Sequence, residues 1–357
     1  MAGLTSADNA RAMSPIPTAD LPRTAELHGV DAADFTARFR AEVLPANQPV
    51  ILRGLVKDWP VVQAAQVSDQ AVCEYLLPFS SGARIPLTLG DPAAGRHLFY
   101  REGMAGLTFE RRPTALIDGL RLLLAHADDA TAPAIYMDSM PLPACLPQLA
   151  EAIPLPLLGP QVMPRIWIGN AVRVQTHFDL AQNLACVVAG RRRFTLFPPE
   201  QLPNLYIGPI DFTPAGPPVS MVDLEAPDHD RYPRFREALA HAQVAELDPG
   251  DALYLPYAWW HQVQSLSGFN ILINYWWTDA PPPTKPFDAL LHAVLAFRHM
   301  PPEQQAVWRG LFDYFAFEQH GPALAHLAPE HRGLMGLSSA QQAEAIRGIL
   351  GEAFKRG

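Results

Sequence analysis

Two histidines and an aspartate carry the strongest chemical signal in the sequence, because their types and spacing suit a metal ion. His177 and Asp179 stand two residues apart in a strand-like stretch, so both side chains should project to the same face. His261 begins a later strand-like stretch, after the aromatic segment 256–260. Two imidazoles and one carboxylate leave coordination positions open, which is the arrangement of non-heme iron(II) oxygenases. His177 taken alone would be interpreted as a core histidine, so the metal hypothesis depends on its neighbours.

One of those neighbours is a cation predicted to face the same interior. On the next strand, alternation places Arg192 on the face of Phe194 and Leu196, which is apolar and therefore inward. Arg191 and Arg193 fall on the opposite face and are predicted to face solvent. A guanidinium binds a carboxylate through two parallel hydrogen bonds. Arg192 is therefore the candidate partner for the distal carboxylate of an iron-bound 2-oxoglutarate.

Two asparagines, Asn183 and Asn274, also fall on predicted strands near the metal site. Each amide could bind a carboxylate or another ligand, and each could instead satisfy backbone groups of the sheet. Both interpretations remain open from the residues alone, with ligand binding preferred.

Eight short strands are predicted to position these residues. They are rich in β-branched, aliphatic and aromatic residues, and Gly, Pro, Asn or Asp bounds each of them. They span residues 162–169, 172–177, 183–189, 192–197, 243–247, 251–255, 260–265 and 270–277. This pattern is typical of a mainly β fold, the double-stranded β-helix or jelly roll of the cupin class, with its core at about 160–280.

Mixed and helical regions flank this core. An N-terminal α/β region is predicted to wrap it, with helical patterns at 32–43, 68–77 and 114–126 and a strand at 49–54. A long insert at 203–240 is expected to help form a substrate groove. The predicted domains are a loosely ordered N-terminus (1–20), a catalytic domain (21–280) and a C-terminal helical region (281–357).

The composition argues against several classes of function. No apolar run reaches the ~18 residues that a membrane span requires, and no secretory signal is recognised at the N-terminus. A net charge of −9 without a broad basic cluster argues against nucleic acid as a partner. Cys73, Cys145 and Cys186 match neither a disulfide framework nor a zinc site, so we expect a cytoplasmic protein.

Several motifs together resemble the cupin-type JmjC hydroxylases, and in particular the asparaginyl hydroxylase that inhibits the hypoxia-inducible factor. The similar segments agree in order and spacing, and they are 48–60, 177–199, 219–235, 248–261 and 273–276. The likeness covers residues 45–280. A set of motifs in the right order is far more specific than any one of them.

The resemblance implies a role for each matching position. The His-Asp-His triad matches the iron ligands, so Fe(II) and 2-oxoglutarate, as cosubstrate, are the expected cofactors. Asn183 and Asn274 match polar residues beside the cosubstrate, and Tyr136 matches a tyrosine whose hydroxyl reaches the distal carboxylate. Trp276 matches an aromatic residue that closes the pocket near the metal.

Two positions depart from the family pattern. Arg192 stands where the family has lysine, which preserves the charge but changes reach and geometry. Val174 stands where the family has a threonine hydroxyl, three residues before the first metal histidine. Both departures concern details of 2-oxoglutarate binding rather than the class of enzyme.

These observations predict an Fe(II)- and 2-oxoglutarate-dependent dioxygenase that hydroxylates a protein side chain or a small molecule. Its partners would be O₂ and an unidentified protein, peptide or small-molecule substrate. Two alternatives are a metal-binding cupin with non-oxidative chemistry and an inactive binding module of the same fold. The intact triad opposes the inactive module. The inward cation opposes non-oxidative chemistry, which needs no partner for a dicarboxylate.

A homodimer is the expected assembly. The resembled hydroxylase dimerises through C-terminal helices, and the helical patterns at 285–299 and 302–318 have wide apolar faces. A two-fold interface is self-complementary, so one apolar patch can serve both subunits. Leu311 and Phe315 are predicted to lie near the interface.

Overall fold

The computed structural model describes residues 21–29, 35–214, 216–278 and 284–355. The predicted loosely ordered N-terminus, residues 1–20, lies outside these ranges. The chain divides into two compact units, Met1–Thr278 and Asp279–Gly357.

The described residues contain fourteen strands in two sheets of nine and five strands. Their bounds are β1 (Ala25–Leu27), β2 (Val50–Leu52), β3 (Ile85–Gly90), β4 (His97–Leu98), β5 (Phe109–Thr114), β6 (Ile135–Pro141), β7 (Pro164–Gly169), β8 (Arg173–His177), β9 (Gln182–Ala189), β10 (Arg192–Phe197), β11 (Gln243–Leu247), β12 (Ala252–Leu255), β13 (Trp260–Ser265) and β14 (Asn270–Trp277). The large sheet has the order β1-β2-β12-β9-β14-β7-β6-β3-β5, and the small sheet has the order β11-β10-β13-β8-β4.

Strands β7 to β14 form the jelly roll. Four of them (β7, β9, β12 and β14) are neighbours in the large sheet, and the other four (β8, β10, β11 and β13) are neighbours in the small sheet. Each corresponds to one of the eight predicted strands. The predicted mainly β fold with a jelly-roll core is therefore confirmed.

Apolar side chains from both sheets fill the space between them. Val187 on β9 and Leu272 on β14 meet Phe194 and Leu196 on β10 in one buried cluster. Because side chains alternate along a strand, the same strands send other residues, such as Ile273, to the opposite face of the large sheet. Both faces of the large sheet are consequently buried.

The N-terminal region covers that second face, as predicted. The main core cluster joins the outer residues of the large sheet to apolar residues of the N-terminal helices. The α-helices and the π-helical turn of the first unit, Met1–Thr278, are α1 (Thr36–Arg38), the π-helical turn (Phe39–Val43), α2 (Leu44–Ala46), α3 (Pro60–Val67), α4 (Asp69–Leu76), α5 (Leu116–Ala125), α6 (Leu142–Cys145), α7 (Leu149–Ala152) and α8 (Phe235–Ala240). The start of the predicted helix 32–43 lies partly outside the described residues.

The second unit is helical. Its main elements are α9 (Pro286–Phe297), α10 (Pro302–Phe315) and α11 (Ser339–Lys355). Phe297 packs against Trp308 and Phe312, with ring centroids 4.9 and 5.7 Å away, so α9 and α10 contact each other. None of the described helices is long and apolar enough to cross a membrane.

Candidate metal centre and cosubstrate cavity

The two histidines of the predicted triad lie opposite each other on paired strands. His177 ends β8 and His261 is the second residue of β13, and the two residues are register partners. Asp179 lies just beyond the end of β8, so the turn and not strand alternation aims its carboxylate. The Asp179 carbonyl accepts a hydrogen bond from the Ala258 amide at 3.0 Å, which fixes that turn.

The three side chains form a compact donor set. One ligand atom of each residue lies within 4.8 Å of the other two. His261 Nε2 is 3.6 Å from Asp179 Oδ2, and the two imidazole centroids are 4.3 Å apart. Two nitrogens and one carboxylate oxygen suit a divalent transition metal and leave its other positions open.

Backbone carbonyls hold both imidazoles in the tautomer that a metal requires. His177 Nδ1 donates to the Gln175 carbonyl at 2.8 Å, and His261 Nδ1 donates to the Trp259 carbonyl at 2.9 Å. The Nε2 lone pairs therefore face the centre of the triad. Burial, assisted by the charge of His177, lowers the pKa of His261 to about 4, so this ring is neutral at pH 7.

A cavity of about 340 Å³ opens beside the triad. Its walls include all eight residues that the sequence singled out, namely His177, Asp179, His261, Arg192, Asn183, Asn274, Tyr136 and Trp276. Val174 also lines it, so an apolar side chain stands where the family pattern has a hydroxyl. This volume is at the lower end of the range for small-molecule sites.

Arg192 supplies the interior cation at one wall of this cavity. Its side chain is only 1% exposed, and its Nε and Nη2 have no hydrogen-bond partner among the described residues. Burial lowers the pKa of this guanidinium, which still remains protonated in a protein. A buried charge without a counter-ion is costly, so the arrangement fits an anionic ligand.

Tyr136 is the nearest polar neighbour of that cation. Burial raises the pKa of Tyr136 to about 12, and the charge of Arg192 opposes the rise. The tyrosine is therefore protonated at pH 7 and can donate a hydrogen bond to the same anion. Its ring stacks on Trp167 with centroids 6.0 Å apart.

The two asparagines belong to one directional hydrogen-bond chain. Trp167 Nε1 donates to Asn274 Oδ1 at 2.7 Å, and Asn274 Nδ2 donates to Asn183 Oδ1 at 3.2 Å. Asn183 Nδ2 ends this chain, with no acceptor among the described residues. Because the chain fixes the orientation of both amides, it presents a donor to the cavity.

Trp276 forms another part of the wall. Its ring meets Trp167 edge to face at 5.8 Å, and its Nε1 is buried without an acceptor in the part of the chain that the structure describes. Two further nitrogen donors near the triad, on Asn183 and Trp276, therefore lack protein partners.

Arg193 on β10 and Arg191 just before the strand both bind acidic residues outside the cavity, as strand alternation predicts. Arg191 Nε donates to Asp248 at 2.9 Å, and Arg193 Nε donates to Glu246 at 2.9 Å. Both cations are therefore neutralised outside the cavity.

Sequence reasoning missed several residues of the cavity wall. Trp167 and Arg165 on β7 line it, and so do Arg111 on β5, Asp138 on β6 and Pro214 of the predicted insert. A signal for the first two existed, since they alternate with the apolar isoleucines of β7. It was ambiguous because Trp167 is itself apolar, so residue type does not show which face of the strand lines the cavity.

The residues present fit Fe(II) and 2-oxoglutarate. The oriented Nε2 atoms and the carboxylate suit the metal, and the buried, unpaired guanidinium of Arg192 suits a carboxylate on the same cavity wall. Arginine in place of the family's lysine keeps this charge. It also adds a second donor for a bidentate contact.

Comparison with known proteins identifies the family. Residues 36–282 match the family described as "Cupin-like domain". The chain is 39% identical over 112 residues to Lysine-specific demethylase JMJ31 of Arabidopsis thaliana, which covers 31% of this chain and 20% of that protein. It is 26% identical over 246 residues to Lysine-specific demethylase 8 of Xenopus tropicalis, and this alignment covers 67% of this chain and 50% of that protein. It is 38% identical over 113 residues to human HSPB1-associated protein 1, and this alignment covers 31% of this chain and 22% of that protein.

The chain spans half or less of the length of these three relatives. The JmjC cupin proteins use Fe(II) and 2-oxoglutarate, and the His-Asp-His cluster of this chain is able to bind the metal.

Proposed function

The chain belongs to the cupin-like family that includes the JmjC-domain proteins, and we propose that it is an Fe(II)- and 2-oxoglutarate-dependent dioxygenase that hydroxylates a protein side chain or a small molecule. One observation carries the proposal: two nitrogens of the buried Arg192 guanidinium, Nε and Nη2, have no hydrogen-bond partner among the described residues, and Arg192 lines the cavity that holds the metal triad. A cupin with non-oxidative chemistry has no use for such a cation. A binding module without turnover has no use for an open metal face.

Five residues of the cavity would hold the metal and 2-oxoglutarate. His177, Asp179 and His261 would hold the iron through two Nε2 atoms and a carboxylate oxygen. Arg192 and Tyr136 would bind the distal carboxylate of 2-oxoglutarate. When bound, iron(II) and 2-oxoglutarate together supply the oxidation of an unactivated C–H bond by O₂, with succinate and CO₂ as co-products.

The remaining walls orient ligands and exclude water. Asn183 Nδ2, held by the chain from Trp167 through Asn274, would donate to a ligand oxygen beside the metal. The rings of Trp167 and Trp276 present apolar surface that keeps bulk water from the reacting carbon.

Demethylation is a second candidate, because two of the relatives are named lysine-specific demethylases. Hydroxylation of an N-methyl carbon gives a hemiaminal that breaks down to the amine and formaldehyde. Both candidates need the same cavity, and they differ in product. Simple hydroxylation leaves one added oxygen on the substrate, whereas demethylation releases formaldehyde.

The test of the class is O₂ uptake together with succinate release from the iron-loaded protein with 2-oxoglutarate. We expect both in the wild type and neither in His261→Ala. His241→Ala is the matched control, because His241 is exposed and bonds only within α8 and its C-terminal end. Metal binding without succinate would favour the non-oxidative cupin or the inactive module.

We also propose a homodimer formed by the helical region 281–357, with 21–280 as the catalytic domain. The exposed apolar residues Leu311 and Phe315 on α10 support this assembly. A cytoplasmic location is proposed as well, and the three free, buried cysteines support it.

A further inference from the structure

A second arginine in the cavity has no negative partner. Arg165 lies on β7, half-buried, and lines the cavity beside the metal triad. Its guanidinium carbon is 5.7 Å from the centroid of the Trp276 ring. Among the described residues, no carboxylate oxygen comes within 4.0 Å of its nitrogens. Arg165 is therefore a cation on the wall of the metal-binding cavity, without a counter-ion among the described residues.

The local backbone is shaped to hold this arginine. Arg165 Nη1 donates to the Ser139 carbonyl at 2.7 Å and to Ser139 Oγ at 3.0 Å. Ser139 has φ 52°, in the left-handed region, and the pairing of β6 with β7 shifts register between Met137 and Met140. A bulge of this kind re-aims side chains and is common beside active sites. Both bonds use Nη1, so Nε and Nη2 keep a free two-donor edge.

Asp138, an acidic residue of the same wall, is already engaged. Asp138 Oδ2 accepts from Arg111 Nε at 3.2 Å and Arg111 Nη2 at 3.1 Å, and its Oδ1 accepts from Thr88 Oγ1 at 3.3 Å. The charge of Asp138 is thus balanced by Arg111. Because Asp179 belongs to the metal triad, Arg165 keeps a positive charge that no carboxylate of the described residues balances.

We propose that Arg165 binds a carboxylate of the primary substrate and so selects substrates with an acidic group beside the carbon that reacts. The inference rests on the proposed function, in which the distal carboxylate of 2-oxoglutarate takes Arg192. The free Nε–Nη2 edge matches the two oxygens of a carboxylate in a bidentate contact. One guanidinium balances one carboxylate, whereas a phosphate dianion would stay half-compensated.

The size of the cavity supports a small acidic group. About 340 Å³ must accept both 2-oxoglutarate and the reacting part of the substrate, so the share left for the substrate is that of one side chain or one small acid. The carboxylate could belong to an acidic residue of a peptide or to a small aliphatic acid. The chemistry that Arg165 recognises is the same in both cases.

The test measures substrate-sized probes by calorimetry on the full chain loaded with manganese(II), which supports no turnover, and with saturating 2-oxoglutarate, which occupies Arg192. The probes are the capped amino acids N-acetyl-aspartate N-methylamide and its asparagine counterpart, and butyrate and butyramide. We expect at least tenfold tighter binding of an acid than of its amide. Preference within the capped pair indicates a peptide source, and preference within the butyrate pair indicates a small molecule.

Three variants identify the residue responsible. Arg165→Gln should remove the acid preference, and Arg165→Lys should keep part of it, because lysine retains the charge without the two-donor edge. Arg121→Gln, on the exposed face of α5, is the matched control and should keep all of it. Equal binding of acids and amides by the wild type, or an acid preference that survives in Arg165→Gln, would overturn the inference.

The titration of 2-oxoglutarate that precedes the probes separates this inference from the proposed function. If 2-oxoglutarate does not bind the metal-loaded wild type, both fail. If it binds equally well to the wild type and to Arg165→Gln but no acid preference is found, the role of Arg165 alone fails.

Discussion

The two units of the chain depart from an ordinary distribution of residues in opposite directions. The jelly-roll unit buries polar atoms that have no hydrogen-bond partner among the described residues, above all Nε and Nη2 of Arg192. The helical unit exposes apolar groups: of its described residues only Ala323 is buried, and fifteen large apolar side chains, among them Val294 and Leu295, are between 36% and 75% exposed. Folded proteins normally pair the first kind of group and bury the second.

Each departure points to a missing partner of matching chemistry. Unpaired donors in a closed cavity need a polar ligand of defined size, and an exposed apolar face of many residues needs a protein surface. We therefore propose that the unpaired donors mark a small-molecule site and that the exposed apolar residues mark an assembly surface. The predictions that follow test the two halves of this comparison.

The largest effect is expected from removing a metal ligand. His177→Ala should lower metal affinity by more than roughly 100-fold, because even a residue that only orients a ligand is worth 10–100-fold. Elemental analysis of protein purified with iron should show about one metal per chain in the wild type and almost none in the variant. Retention of iron in both His177→Ala and His261→Ala would show that the triad is not the metal site.

Arg192→Met should separate ligand binding from stability. The affinity for 2-oxoglutarate should fall by about 2–5 kcal/mol, because a desolvated carboxylate loses its partner. The apoprotein should become more stable, by about 1–3 kcal/mol, because a buried charge without a counter-ion is replaced by an apolar side chain of similar length. Calorimetry and denaturant unfolding measure the two quantities.

Arg193→Met is the control for that experiment. Arg193 is paired with Glu246 outside the cavity, so its loss should leave the affinity for 2-oxoglutarate unchanged and should not stabilise the apoprotein. Equal damage to affinity in both variants would contradict the assignment of the inward cation.

The exposed apolar residues of the helical unit predict a dimer that depends on α10. Light scattering at micromolar concentration should give a dimeric mass for the wild type. Leu311→Asp and Phe315→Asp should each weaken association by about 2 kcal/mol or more, the cost of losing an interface anchor. A monomeric wild type with intact turnover would refute the dimer and leave the metal site untouched.

The smallest effect concerns His97, a half-buried histidine outside the triad. Burial, assisted by the charge of Arg173, lowers the pKa of His97 from 6.5 to about 4. As the pH falls, His97 takes up a proton in the unfolded chain before it does so in the folded protein. The contribution of neutral His97 to stability is therefore complete above about pH 6.5 and is lost towards pH 4. This group alone should make the free energy of unfolding about 2 kcal/mol lower at pH 5 than at pH 7.

Denaturant unfolding of His97→Gln at both pH values checks that effect. Glutamine can keep a donor towards Gln175, whose side-chain oxygen lies 3.1 Å from His97 Nε2, but it does not titrate. The variant should lose less stability than the wild type between pH 7 and pH 5. An identical loss in both proteins would mean that His97 does not contribute.

The jelly roll could be predicted from the sequence because its strands alternate with a period of two between clear turn residues. The same alternation predicted the inward position of Arg192. The predicted place of Asp179 in the triad is also found, but Asp179 reaches it from beyond the strand end, where a backbone contact with Ala258 and not alternation holds it. Strand β5 was missed because it carries charged residues at the edge of the large sheet.

The wall around Arg165 could not be predicted, for a physical reason. Its position depends on a register shift in β6 and on the left-handed backbone of Ser139, and neither leaves a mark in residue type. Trp167 was missed because it is as apolar as the isoleucines with which it alternates on β7, so hydrophobicity does not show which face lines the cavity.

The central claim is that one cavity binds the metal and 2-oxoglutarate together. Anaerobic calorimetry of 2-oxoglutarate with and without Fe(II) tests it most directly, because a favourable contact between two bound ligands raises the affinity of each by the same factor. We predict one 2-oxoglutarate per chain and at least tenfold tighter binding when Fe(II) is present. Equal affinity with and without the metal, or no binding at all, would contradict the account.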